Sequence, residues 1–130
     1  MNEIATGKEK KGNVKISYLK AFDIYIIDYA VIITLEIGLS NMKIIENKIR
    51  KLSLNKDCIK ILFDVRNTIW KDRETHNVLS KIGRRIFNPE NFDFVIYTAV
   101  LNNDYDGLTF ENEHWFFQKE DAIKWLAKKT

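Results

Sequence analysis

An α/β fold is predicted for this chain: one compact domain, with a mixed sheet of about four or five strands and about three helices packed on it. Three observations carry that expectation. The stretch Ile59-Lys60-Ile61-Leu62-Phe63-Asp64-Val65 has apolar residues on both sides of its period of two, as a strand covered on both faces requires. The segments around it alternate between helical and strand periodicity, which favours strand-helix-strand crossovers over a buried helix. The chain has 130 residues, 45% hydrophobic and 30% charged, with one proline and five glycines, values typical of a regular globular domain.

Taken in order, residues 1–13 form a polar, loosely held lead-in, and residues 14–130 form the domain. Val14, Ile16 and Tyr18 alternate with Lys15 and Ser17, the pattern of a half-buried strand. Phe22 to Ile27 and Val31 to Ile37 are expected as further strands, joined through Asp28-Tyr29-Ala30. Ser40 or Asn41 can cap a helix. Met42, Ile45, Ile49 and Leu52 then follow at helical spacing, with Glu46 and Arg50 set for an exposed i,i+4 pair. Asn55-Lys56-Asp57 ends that helix, and the central strand begins.

A loop through Trp70 leads to a second helix from about Asp72 to Phe87, with Val78, Leu79, Ile82 and Ile86 as its apolar stripe. Asn88-Pro89-Glu90-Asn91 stops it. Phe92 to Leu101 reads as a strand, Asn102 to Asn112 as a polar loop, and His114 to Phe117 as a last short strand. Glu120 and Asp121 open a final helix and Lys128 and Lys129 close it, both charge placements opposing the helix dipole. Ala122, Ile123, Trp125 and Leu126 would pack this helix on the sheet. The crossovers should be parallel and right-handed.

The net charge of +3 is interleaved with acidic residues and forms no concentrated basic stripe, so nucleic acid is not an expected partner. One cysteine, Cys58, excludes an intramolecular disulfide and a cysteine-based metal cluster. At the head of the central strand it reads as a buried thiol acting as a small hydrophobe. The N-terminus lacks the apolar run of a signal peptide. The stretch from Tyr25 to Gly38 is too short and too charged to span a bilayer. A cytoplasmic location without membrane insertion is therefore expected.

Two stretches resemble a known family. Ile61-Leu62-Phe63-Asp64-Val65, with Asp72 beginning the next helix, is similar to the STAS or SpoIIAA-like superfamily of anti-sigma-factor antagonists. Trp115-Phe116-Phe117-Gln118-Lys119-Glu120-Asp121-Ala122-Ile123-Lys124-Trp125-Leu126 resembles its STAS/SEC14-like branch, where a strand ending in phenylalanine enters a helix with an Ala-x-x-Trp-Leu signature. The resemblance runs from roughly Phe22 to Lys129. It implies a SpoIIAA-like fold and a noncatalytic, regulatory, protein-binding module without a cofactor. Family members are switched by phosphorylation of a serine after the helix-starting aspartate. Here Asp72 is followed by Arg73, Glu74 and Thr75, so the phospho-acceptor serine is missing.

Several residues carry candidate chemistry, and each also has a plainer role. Asn102-x-Asp104-x-Asp106-Gly107 with Glu113 has the spacing of a calcium loop, but its flanks read as strands and such residues also make ordinary turns. His76 and His114 show no ligand-pair spacing. Cys58, His76 and Asp64 have no spacing that supports a nucleophile, base and orienter. Asp64 lies near the end of the central strand, where ligands gather in open α/β sheets, and otherwise would bond to the next loop's backbone. Arg73, Lys81, Arg84 and Arg85 lie on the solvent side of the second helix. With Trp70 and Asp72 they form the expected partner surface, since tryptophan and arginine are enriched at binding hot spots. The leading expectation is thus a module that binds another protein, with homodimerisation left open. The alternative is a carrier of a small apolar ligand or lipid in a pocket between sheet and helices.

Overall fold

The computed structural model describes residues 14–29, 32–86, 90, 93–103, 109–110 and 112–129. The chain opens with an antiparallel hairpin of β1 (Val14–Leu19) and β2 (Ile24–Tyr29), paired from Val14 opposite Tyr29 to Leu19 opposite Ile24. Its connection is a single 3-10 turn, Lys20–Phe22, followed by Asp23 in the left-handed region at φ 57°. Aspartate tolerates that region better than most residues because its short carboxylate bonds nearby groups. Here it accepts from the Tyr18 hydroxyl at 2.7 Å and from Lys56 Nζ at 2.8 Å, which ties the hairpin to a loop 33 residues away.

The expected strand from Val31 to Ile37 is corrected. Among the described residues the strand is Ile32–Ile33 (β3), Val31 lying outside them, and α1 begins at Leu35 and runs to Leu52. Thr34 causes the switch: its hydroxyl accepts from the Ile37 N–H at 3.2 Å, and Glu36 sits in the first turn. The cap therefore lies six residues before Ser40, and Asn41 is an interior helical residue. The inward stripe is Gly38, Asn41, Ile45 and Ile49. Glu46 and Arg50 form the expected exposed pair at 3.2 Å.

The central strand is β4 (Cys58–Asp64). A two-residue strand, β5 (Ile69–Trp70), pairs in parallel with β3 as a separate small sheet, an element the sequence reading placed in a loop. Then come α2 (Arg73–Ile86), β6 (Val95–Leu101), β7 (Thr109–Phe110), β8 (Glu113–Phe116) and α3 (Lys119–Ala127). The main sheet has the order β1-β2-β4-β6-β8-β7. The joins β2·β4, β4·β6 and β6·β8 are parallel, and both edges are antiparallel. Two-residue β7 adds a sixth strand to the expected four or five. Asp28 and Tyr29 of the expected connection belong to β2, and Ala30 lies outside the described residues. The proposed stop at Asn88-Pro89 and strand residue Phe92 lie outside the described residues, as does Phe87. Lys124, not Lys128 or Lys129, is the base in the last turn of α3.

The sheet's two faces are covered differently. On one, Ile24, Leu62, Ala99 and Leu101 meet Ala122 and Leu126, all essentially inaccessible. Ala99 and Ala122 have small side chains, so the α3 backbone lies close along β6, β8, β4 and β2. On the other face, Ile27, Ile59 and Ile61 meet Ile45 and Ile49 of α1 and Leu79 of α2. The close backbone approaches of α1 and α2 are to one another and to β3 and β5. They meet at Gly38, where a Cβ would stand 2.3 Å from Leu79 Cδ1. Only glycine lets Leu79 lie against that helix backbone.

Asn41 is the exception in this packing. It is 0% exposed, and neither its amide nitrogen nor its oxygen has a hydrogen-bond partner. A buried unpaired polar group costs about 1–3 kcal/mol, and leucine has similar size and better helix propensity. Asn41→Leu is therefore expected to raise stability by about 1–2 kcal/mol in urea unfolding. A lower unfolding midpoint at unchanged m-value would show that the amide is satisfied in solution.

Candidate functional site

A half-open cavity of about 480 Å³ lies between the main sheet and the two helices that stand over it. Its floor is built by alternate residues of three parallel strands: Ile61 and Phe63 of β4, Ile96, Thr98 and Val100 of β6, and Trp115 of β8. The register puts them on one face, with Ile61 beside Thr98, Phe63 beside Val100, and Val100 beside Trp115. The roof is Met42, Ile45 and Ile49 of α1 with Leu79, Ser80 and Gly83 of α2, and Ile33, Val65 and Trp70 close one end. Gly38 and Gly83 bring Leu79 and Met42 close against the helix backbones at this roof. Most of the lining is aliphatic or aromatic, and the volume is in the range of small-molecule sites.

Polar groups gather where α2 meets β8. Glu113 Oε2 accepts the Trp115 indole N–H at 2.8 Å, and an Arg84 guanidinium nitrogen lies 4.0 Å from the same oxygen. Ser80, Thr98 and Asn112 line this part as well. The cavity thus has an apolar body and a polar, charged margin.

The predicted partner-surface residues fall into three groups. Arg73, Lys81 and Arg85 are exposed on α2. Trp70 is half-buried against His76, ring centroids 4.8 Å apart and edge-on, and forms a wall of the cavity, so it is no free surface anchor. Arg84 is exposed yet borders the cavity. Asp72 caps α2: its carboxylate accepts from the Thr75 N–H at 2.7 Å, and that bond holds its pKa below the usual range. Thr75 is buried, 7% exposed, which leaves it a poor substitute for the missing serine.

The calcium-loop residues are partly placed. The Asn102 backbone N–H donates to Phe116 O, Asp104 and Asp106 lie outside the described residues, and Glu113 serves Trp115 and faces the cavity. Among the described residues no three potential metal ligands cluster. Cys58 and Asp64 stand at opposite ends of β4, about 20 Å apart, so they share no site. Cys58 is half-buried, and burial raises its thiol pKa. His114 stacks on Trp125, centroids 4.5 Å apart.

Asp64 takes its plainer role. It accepts from the Arg66 backbone N–H at 3.1 Å and from the Arg66 guanidinium at 3.0 and 2.9 Å. Burial alone would raise its pKa; the Arg66 side-chain and backbone bonds, with the charges of Arg66 and Lys119, outweigh it and lower the pKa.

A scan against family models finds no match, and neither curated proteins nor solved structures yield one. Among the described residues no helix is long and apolar enough to cross a membrane. The sequence offers a pocket between sheet and helices only as an alternative, and it points to Trp70, Arg84 and Glu113 of the lining for other roles. The available signal was the small residues, Gly38, Ser80 and Gly83, on or beside otherwise apolar helical stripes.

The Asp64 geometry predicts a pH dependence. A carboxyl with a lowered folded pKa contributes stability above its unfolded pKa of about 3.9, and loses it as pH falls through the folded value. Asp64→Asn should cost about 1–3 kcal/mol at neutral pH. In paired urea titrations the gap to wild type should narrow as pH falls below the unfolded value and through the lower folded one. A constant gap from neutral to acid pH would mean the charge is irrelevant.

Proposed function

We propose that this domain is a noncatalytic binding module that holds a small, largely apolar ligand between its sheet and α1/α2. The observation carrying this reading is the half-open cavity of about 480 Å³. A half-open cavity is filled by solvent or by ligand, and a mostly apolar lining favours an apolar ligand. Among the described residues, no set of nucleophile, base and acid adjoins it.

The protein-binding reading remains as a second proposal, favoured by one observation. Arg73, Lys81, Arg84 and Arg85 are exposed along one side of α2, whose other side roofs the cavity. A partner that reads this helix would sense whether the cavity is filled. The double variant Arg73→Glu with Arg85→Glu should lose proteins that wild type retains in paired pull-downs, while apolar-ligand affinity stays the same. Identical recovery by both forms counts against this surface.

The cavity reading is tested with the uncharged fluorophore N-phenylnaphthylamine and with dodecanol as its competitor. Wild type should bind the probe saturably at one site, and ligand at a hundredfold excess over Kd should raise Tm by on the order of 5–10 °C. Val100→Trp, which extends the cavity floor into the space, should weaken binding at least about tenfold with Tm unchanged or higher. Absence of saturable binding in wild type, or equal binding by the folded variant, would overturn the proposal.

A further inference from the structure

Resting on the cavity reading, we infer that the ligand ends in an uncharged hydroxyl, an alcohol head received by Glu113, Thr98 and Ser80 while its apolar body lies toward β4 and α1. The cavity lining changes character across the sheet. On the side of β4 and α1 it is apolar, with Ile61, Phe63, Met42 and Ile45. On the side of β6, β8 and α2 it carries Thr98, Glu113 and Ser80. Register and helix period bring these three together. Thr98 is the direct partner of Glu113 across the two strands, and Ser80 stands one helical turn before Arg84, which lies 4.0 Å from Glu113. From β8 to β4 is two strand spacings, roughly 10 Å, so the width of the floor separates the polar end from the apolar one. A ligand that matches both is apolar along its body and polar at one tip.

The chemistry of that tip follows from the charges beside it. Glu113 and Arg84 give the margin both signs at once. An anionic head there meets the Glu113 carboxylate, a cationic head meets the Arg84 guanidinium, and either one gives up water to enter. An uncharged head avoids both penalties. It must donate a hydrogen bond, because an ionised carboxylate only accepts. Glu113 has capacity for one. Its contacts with the Trp115 indole N–H, at 2.8 Å, and with Arg84 both fall on Oε2, and a carboxylate offers about four lone-pair sites over its two oxygens. The head must also accept, since the Thr98 and Ser80 hydroxyls each bring a donor hydrogen. A hydroxyl does both with one oxygen, small enough to sit between neighbouring strands. Arg84 keeps its own contacts in this arrangement, because the alcohol needs nothing from it.

The test compares dodecanol, its methyl ether, dodecanoate and dodecylamine, each below its solubility or micelle limit, as competitors of N-phenylnaphthylamine on the full chain. The ether keeps the oxygen acceptor and lacks the donor hydrogen. Wild type should prefer the alcohol to the ether by about tenfold, as a bond to a charged acceptor implies, and should prefer it to both charged analogues. Glu113→Gln keeps the side chain's shape and removes its charge. It should cut the alcohol-over-ether ratio about fivefold and raise dodecanoate affinity relative to the alcohol. Thr98→Val should weaken alcohol binding about fivefold while the probe's own affinity stays the same. Circular dichroism checks that both variants fold. Equal affinity for alcohol and ether in wild type would overturn the head-group assignment and leave the cavity reading standing. So would tighter binding of either charged analogue, or an alcohol-over-ether ratio unchanged in folded Glu113→Gln. Displacement of the probe by none of the four would overturn both.

Discussion

The structure depends on a difference between the two coverings of one strand. β4 is buried on both faces, so each face needs a helical layer, and the two layers are built from unlike parts. Ala99 and Ala122 let α3 come close and leave a tight, dry interface. Across the sheet, Ile59 and Ile61 are large, and Gly38 lets Leu79 lie against α1. The cavity lies between these two helices and the strands, on the face opposite the α3 interface.

Polar residues at the ends of the elements serve mainly to fix that frame. Thr34 and Asp72 cap the two helices over the cavity, through the Ile37 and Thr75 N–H groups. Asp23 bonds Lys56 and so fastens the hairpin to the loop before β4. Asp64 and Arg66 close the turn after it. These groups hold partners of their own, so they are poor candidates for ligand chemistry. Glu113 and Arg84 border a space as well.

Much of the architecture was legible in the sequence because burial on both faces leaves a clear mark. The Ile59–Asp64 run, the stripe of Ile45 and Ile49, and Ala122 with Leu126 all lie as the periodicities indicate. The error at Val31 to Ile37 has a definite cause. Ile33, Leu35 and Ile37 satisfy a period of two, but Thr34 supplies a cap and Gly38 and Asn41 extend a helical stripe, and tertiary contact with Leu79 decides between them. β5 and β7 were missed because two residues carry no period. The candidate site was far less legible. Trp70 and Arg84 were singled out as surface anchors, yet Trp70 walls a cavity and Arg84 rims it. No local pattern states how far a helix stands from a sheet.

Asn41 shows how that distance bears on function. It shares the inward stripe of α1 with Gly38 and Ile45, which line the cavity, but its amide is buried without a partner. A helix face that carries a glycine and an unsatisfied amide is poorly optimised for stability. Such a compromise is tolerable in a domain whose layers must admit a ligand, because binding returns free energy that packing alone does not supply. The same helices then face two demands, a firm mutual contact at Gly38 and Leu79 and a loose seat on the strands. α2 bears both, since its inner side roofs the cavity and its outer side presents Arg73, Lys81 and Arg85 to solvent. On the proposed reading, a ligand that lifted or drew in α2 would move a charged surface and so couple filling of the interior to what the exterior presents.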